Sequence, residues 1–226
     1  MRFNYLNFKI LTICSLFFLI ACNSTPKSAE ADTAEARALQ ATSVQGTILN
    51  IDTANSKIFW KGSKLIGSAN SGFVPITTGS IKLVKGEVVG GSVTINMKGI
   101  QPTNQDAEGN AKLKAHLGSS DFFAVDSFPT VVFDVTEVKK GAITDSINAE
   151  VKDNNATVTG NLTIKGIAKS ISFPAHIQAD SLGAVLNAAF TIDRTKWGIT
   201  YGSENSIRDN IIKKEIEFKV DVTAKK

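Results

Sequence analysis

Cysteine and histidine are almost missing from this chain of 226 residues, which holds two of each. That scarcity removes the Cys/His ligand sets of zinc sites and any dense disulfide framework. There is no Gly-rich phosphate loop and no Gly-x-Ser-x-Gly nucleophile elbow. The carboxylates, Asp145, Glu150 and Asp153 among them, fall on turns and polar strand faces, where they read as solubility. His116, in a short helical stretch, and His176, on the polar side of a strand, read as solvated or locally hydrogen-bonded. No catalytic residue and no metal ligand is therefore nominated, and no cofactor is required. A surplus of one charge is missing too. The formal net charge is +4, and without the first 21 residues, which hold Arg2 and Lys9, it falls to +2. A nucleic-acid partner loses its electrostatic argument.

Beyond residue 21 the chain has no long apolar run. The run from Ile10 to Ala21 is itself too short to span a bilayer, which takes about 20 residues. It follows a basic start and ends in Leu19-Ile20-Ala21-Cys22, the pattern of a bacterial lipobox, in which cleavage before Cys22 frees that residue for acylation. The expectation is a lipoprotein signal peptide over 1–21 and an exported protein held to a membrane through Cys22, stably so with two or more acyl chains. Asn23 stands where an Asp favours inner-membrane retention in some bacteria, which points to the outer membrane, facing the periplasm. From Asn23 to about Gln45 the composition is Ala, Ser, Thr, Glu and Gln with little to bury. Residues 22–45 are expected to be the lipidated cysteine and a flexible tether, with nascent helix at most over Ala29 to Ala41.

What remains, residues 46–226, is dominated by a period of two. Ile216, Phe218, Val220 and Val222 share one face while Glu215, Glu217, Lys219, Asp221 and Thr223 share the other. Val93, Ile95 and Met97 repeat the pattern, as do Val131, Phe133 and Val135, Val158, Leu162 and Ile164, Ile171, Phe173 and Ala175, and Leu186, Ala188, Phe190 and Ile192. One dry and one wet side per strand argues for antiparallel strands around a single interior. Turn signals at Lys85-Gly86, Lys140-Gly141, Asp153-Asn154-Asn155 and Ser181-Leu182-Gly183 separate them, and Asn110 to Leu117 reads as one short helix. The fold expected is all-β: about eight antiparallel strands in a barrel, a number at which the interior is either filled by side chains or holds one small ligand. The pattern does not choose between filled and hollow.

Four ordered motifs resemble the YceI-like family. They are Phe59-Trp60-Lys61-Gly62, then Ala115 to Phe123 followed by Phe128-Pro129-Thr130-Val131-Val132-Phe133, then Val158 to Gly166, and Ile192-Asp193-Arg194-Thr195-Lys196-Trp197-Gly198-Ile199. The resemblance runs over about residues 47 to 224 and implies a lipocalin-like barrel with a long apolar tunnel, whose members hold polyisoprenoid chains such as quinone tails. Two departures stand out: Lys165 replaces a usual His, and the stretch from Gly67 to Gly72 lacks another.

On that reading the inward candidates for a tunnel wall are Ile58, Trp60, Val131, Phe133, Leu162, Ile164, Phe173, Phe190 and Phe218, which otherwise are ordinary barrel core. Phe122, Phe123 and Phe128 are expected to cap one barrel end or line an entrance, with Trp197 sharing that rim. Arg194 is expected to form a structural ion pair with Asp193 rather than to clamp a ligand. The function expected is non-catalytic binding, storage or transport of an apolar polyisoprenoid-like lipid. The other classes are an enzyme or stress-response factor acting on a tunnel-bound lipid, with Arg194, Asp193 and His116 as its polar group, and a packed structural or interaction lipoprotein. The oligomeric state is left open, a dimer included.

Overall fold

The computed structural model describes residues 28–39, 45–141, 151, 153–203 and 211–226. Leu19 to Cys22, and with them the lipobox expectation, lie outside the described residues, as do Asp145 and Glu150. Among the described residues the strands are β1 (Ala29–Glu30), β2 (Asp32–Glu35), β3 (Thr47–Ile51), β4 (Lys57–Lys64), β5 (Ala69–Val74), β6 (Ile76–Val84), β7 (Glu87–Asn96), β8 (Gln101–Pro102), β9 (Thr130–Lys140), β10 (Ala156–Ile164), β11 (Ile167–Ala179), β12 (Gly183–Asp193) and β13 (Ile212–Lys225). One α-helix, α1 (Ala107–Gly118), interrupts them. It starts at Asp106, whose carboxylate accepts the Gly109 N–H at 2.7 Å, the N-cap geometry that satisfies a free helix donor.

Eight strands close on themselves in the order β12-β11-β10-β9-β7-β6-β3-β13, each antiparallel to the next, with β13 pairing back onto β12 over its whole length. The barrel expected from the period of two is the barrel observed. β4 continues the line of β3 and pairs with β13, and β5 runs into β6 across Pro75. The β6–β7 and β10–β11 connections are two-residue turns, Lys85-Gly86 and Lys165-Gly166, with φ of 51° and 78° in the first and 50° and 75° in the second. Positive φ at both positions matches the right-handed twist of the paired strands. The β4–β5 tip, the β10–β11 turn and α1 share one end of the barrel, called the upper end below; Lys85-Gly86 lies at the lower end.

The segment expected to be a solvated tether is in part a stave of the barrel. The lower halves of β11 and β12 pair with each other from Ala175↔Ala188 to Ala179↔Ala184. Higher up they part, and the gap is filled by β1 lying parallel to β12 at Phe190 and Thr191 and by β2 lying antiparallel to β11 from Ser172 to Lys169. The chain then crosses β10, where Asn161 Oδ1 accepts the Arg37 N–H at 2.9 Å and Asn161 Nδ2 donates to the Arg37 carbonyl at 2.7 Å. Backbone pairing rather than apolar burial holds this segment, so a composition poor in large apolar residues did not prevent docking. It also explains why β10 and β12 are covered on both faces: Thr159, Asn161 and Thr191 are all buried.

Candidate functional site

The barrel is hollow. A cavity of about 710 Å³ follows its interior from Ile51, Val138 and Leu186 near the lower end to His116 and Tyr201 at the upper. That volume lies within the roughly 300–1,000 Å³ typical of small-molecule sites. A packed structural protein would have no such space. Ile58, Trp60, Val131, Phe133, Leu162, Ile164, Phe173, Phe190 and Phe218 all line it. Four of them form a run of rings around the wall. Phe173 stacks on Phe190 with centroids 4.1 Å apart, flanked by Phe133 at 5.7 Å from Phe173 and Phe218 at 5.9 Å from Phe190. Such offset and tilted pairs suit the quadrupoles of the rings. Trp60 Nε1 is buried in this wall without a hydrogen-bond partner among the described residues.

At the upper end the structure separates residues that the sequence grouped. Phe122 and Phe123 line the cavity. Phe128 does not; its ring is partly exposed and lies against the β10–β11 turn, 3.4 Å from where a side chain on Gly166 would begin. Trp197 is no rim residue either. It is fully buried, and its Nε1 donates to the Leu162 carbonyl at 3.0 Å. The one-turn helix Arg194–Trp197 that follows β12 turns the indole inward, away from the rim it was expected to share.

The ion pair expected between Asp193 and Arg194 is not formed. Successive residues at a strand end point to opposite sides, and the two side chains find separate partners. Arg194 borders the cavity at 3% exposure and donates to three backbone carbonyls: Nε to Lys213 at 3.2 Å, Nη1 to Ile199 at 2.6 Å and Nη2 to Ile212 at 3.2 Å. Burial pushes the guanidinium below its ordinary value, with Asp193 opposing the shift through space; an arginine stays charged regardless. Asp193 accepts from Thr195 N at 3.0 Å and Thr195 Oγ1 at 2.6 Å and faces Lys214 Nζ at 3.4 Å. Burial pushes this carboxyl up, but the Thr195 bonds and the Lys214 ammonium outweigh burial and hold it below the usual carboxylate value of 3.8.

A group with a depressed folded pKa stabilises the fold above its unfolded pKa and loses that contribution as pH falls through the folded value. Asp193→Ala is therefore expected to lose about 1 kcal/mol at neutral pH, the usual size of a lost cap. In thermal melts the gap between variant and parent closes as pH drops below 3.8.

His116 is locally hydrogen-bonded, Nε2 to Asp121 Oδ2 at 3.1 Å, and it also meets the edges of two rings, Phe122 at 5.0 Å and Tyr201 at 4.8 Å. No hydrogen bond or ion pair joins His116 to Asp193 or Arg194 among the described residues; of the polar group of the enzyme reading, His116 and Arg194 line the cavity and Asp193 does not. No set of three metal-ligating side chains occurs among the described residues either. Sequence reasoning missed Tyr201, Ile81 and Gly62 as lining residues. Gly62 was in reach, since it follows Ile58 and Trp60 at a spacing of two on β4; Tyr201 sits outside any strand and had no periodic signal.

The YceI-like domain profile matches residues 49–224. Among curated proteins, a UPF0312 protein of Pseudomonas aeruginosa is 34% identical over 85 residues, which are 38% of this chain and 36% of that protein. A UPF0312 protein of Yersinia enterocolitica is 36% identical over 75 residues, 33% of each chain. The chain thus aligns with about a third of the length of these curated relatives. Among solved structures, Burkholderia cenocepacia BcnA superposes with a TM-score of 0.55 at 18% identity, covering 77% of this chain and 99% of that one. A polyisoprenoid binding domain from Saccharophagus degradans, implicated in plant cell wall breakdown, superposes with a TM-score of 0.56 at 12% identity over 80% of this chain and 99% of that one. At such identities the superpositions speak for the fold alone, and the match over residues 49–224 settles the family: this chain is a member of the YceI-like family.

Proposed function

We propose that the barrel binds an apolar polyprenyl-type lipid, a quinone with an isoprenoid tail being the type compound, and that it stores or carries this cargo in the cell envelope without covalent chemistry of its own. The observation that carries this reading is the cavity of about 710 Å³ walled along its length by branched and aromatic side chains. An isoprenoid tail offers no hydrogen bonds, so area and shape must recognise it, at roughly 0.8 kcal/mol per buried CH₂. Much of that gain cancels when the lipid arrives from a bilayer rather than from water. Selectivity then rests on how the tail fits the ring-lined bore. The polyisoprenoid binding domain of Saccharophagus degradans has the same fold, which supports the choice of ligand class.

The chain's two tryptophans supply the test. Trp60 lines the cavity and Trp197 does not. A bound quinone quenches an indole in contact with it, so titrating the full chain with a polyprenyl quinone is expected to quench fluorescence saturably, and Trp60→Phe to remove most of the change. Saturable quenching absent in the parent, together with no isoprenoid in organic extracts by mass spectrometry, would rule this reading out.

The address is part of the same proposal: acylation of Cys22 and residence at the outer membrane, facing the periplasm, supported by the lipobox and by Asn23. Cys22→Ser is expected to abolish incorporation of labelled palmitate and to shift the protein out of the membrane fraction.

A further inference from the structure

Half of the large apolar side chains left exposed among the described residues belong to the upper end: Leu65, Ile66, Phe128, Ile167 and Tyr201, out of ten. They are neighbours through a chain of contacts. The Leu65 N–H donates to the Ile211 carbonyl at 2.7 Å, and Leu65 shares a surface hollow with Thr195 and Thr200. Ile167 lies 3.7 Å from the position of a side chain on Gly198, and Phe128 lies 3.4 Å from that on Gly166. Tyr201 packs on Phe122 and His116, which line the cavity. Tyr201 itself lines the cavity while 46% exposed, so the bore reaches the surface within this crown.

Among the described residues, the charges left without an ion-pair partner between these tips are mainly basic. Lys64, Lys165, Lys196 and Lys213 have no carboxylate partner among the described residues, whereas four acids nearby face a base, two of them sharing Lys214, which Glu30 also reaches through space. Asp121 faces His116 at 3.1 Å, Asp126 faces Lys98 at 3.9 Å, and Asp193 and Glu215 face Lys214 at 3.4 and 3.9 Å. Lys64, Leu65 and Ile66 are consecutive, and Lys165 and Ile167 flank Gly166, so each hairpin tip presents apolar side chains beside an ammonium group.

We propose that this crown is a docking surface for an anionic lipid bilayer, in which the apolar tips enter the headgroup boundary, the unpaired lysines meet lipid phosphates, and the mouth of the cavity faces the membrane. Unpaired lysines near such a surface and apolar side chains at the interface both favour the bound state. The position of the N-terminal segment agrees. Ala29 pairs beside Phe190, three residues below the end of β12 at Asp193, roughly 10 Å along a strand. β1 runs toward the crown, so the chain enters Ala29 from below; the stretch from Cys22 to Ser28 spans at most about 20 Å, long enough to turn back and bring an acyl group on Cys22 to the bilayer that the crown would meet. Docking stands on the surface alone; only its use for loading lipid rests on the function proposed above.

The test compares a new tryptophan at each end of the full chain, Ile66→Trp and Leu182→Trp, reconstituted with phosphatidylglycerol vesicles whose acyl chains carry bromine. Bromine is expected to quench the upper-end variant by at least about two-fold more than the lower-end one. The difference is expected to shrink in about 1 M salt, where the Debye length is only about 3 Å, and when Lys64, Lys165, Lys196 and Lys213 are all changed to Gln. Equal quenching at the two ends, none at either, or quenching indifferent to salt and to the lysines overturns the proposal. A crown-dependent dimer in sedimentation with no bromine quenching also overturns it, assigning the surface to a second copy. Co-purified lipid, measured on the same variants by mass spectrometry, reports separately on the cavity, so an undocked crown on a loaded barrel defeats docking and leaves cargo binding intact.

Discussion

Gly62→Phe is expected to empty the barrel while leaving it folded. Gly62 continues the inward face of β4 after Ile58 and Trp60, and it lines the cavity. A Cβ there meets a single close neighbour, the terminal methyl of Ile216 at 3.3 Å, the far end of a flexible side chain. The ring therefore has space in front of it, and that space is the bore. An elongated ligand needs the bore continuous, so a plug at one level excludes the whole tail rather than the fraction of volume it occupies. Bound isoprenoid recovered from the variant is expected to fall at least about ten-fold, equivalent to about 1.4 kcal/mol of lost affinity, with a melting temperature equal to or above that of the parent, because filling an apolar void stabilises. A Gly62→Phe protein that still carries its lipid at parental stoichiometry would show that the cargo lies elsewhere. Gly72→Ala is the informative contrast. There a Cβ runs into the Gln101 backbone, so even a methyl must break the β5–β8 pairing, and the expected loss is stability of about 1–3 kcal/mol with the bore unobstructed.

The wall of the cavity was legible because strand periodicity is a statement about faces. Once Phe133, Phe173, Phe190 and Phe218 are each placed on the dry side of an antiparallel strand, closure of the sheet brings their rings together without further information. Hollowness was not legible, since the same faces pack solid or stand apart depending on strand tilt and stagger, which no single strand encodes. The docked segment Ala29–Glu35 escaped notice for another reason. A stave that completes a wall through backbone hydrogen bonds needs only small side chains, as Ala31 at 2% exposure illustrates, and such composition looks the same as linker. Arg194 illustrates a third limit. Its partners are the carbonyls of Ile199, Ile212 and Lys213, and a carbonyl leaves no mark in the amino-acid alphabet, whereas the neighbouring Asp193 offered an obvious and incorrect one.

Trp197→Ala is expected to produce the largest loss of stability of any single substitution considered. The indole is fully buried, lines no part of the cavity, and so cannot be replaced by a bound lipid. Truncating a buried Trp costs about 3–5 kcal/mol through lost burial and the void left behind, a large share of the 5–15 kcal/mol typical of a whole domain. The damage is expected to spread along the chain. Trp197 ends the turn that begins at Arg194, and the Nε1 bond to Leu162 is what holds that turn against β10, while the Arg194 guanidinium ties the same turn to the start of β13. With the first tether gone, the second alone sets the position of Arg194 at the cavity wall. Trp197→Phe separates the two contributions. It keeps a six-membered ring and removes the pyrrole half with its donor, so it is expected to lose less than Trp197→Ala, about 1–3 kcal/mol, and to keep its cargo. Denaturant melts of the parent and both variants, read beside lipid content, check the order. If Trp197→Ala proved as stable as the parent, the indole would be a passenger in the upper end, and the turn would have to be held by Arg194 alone.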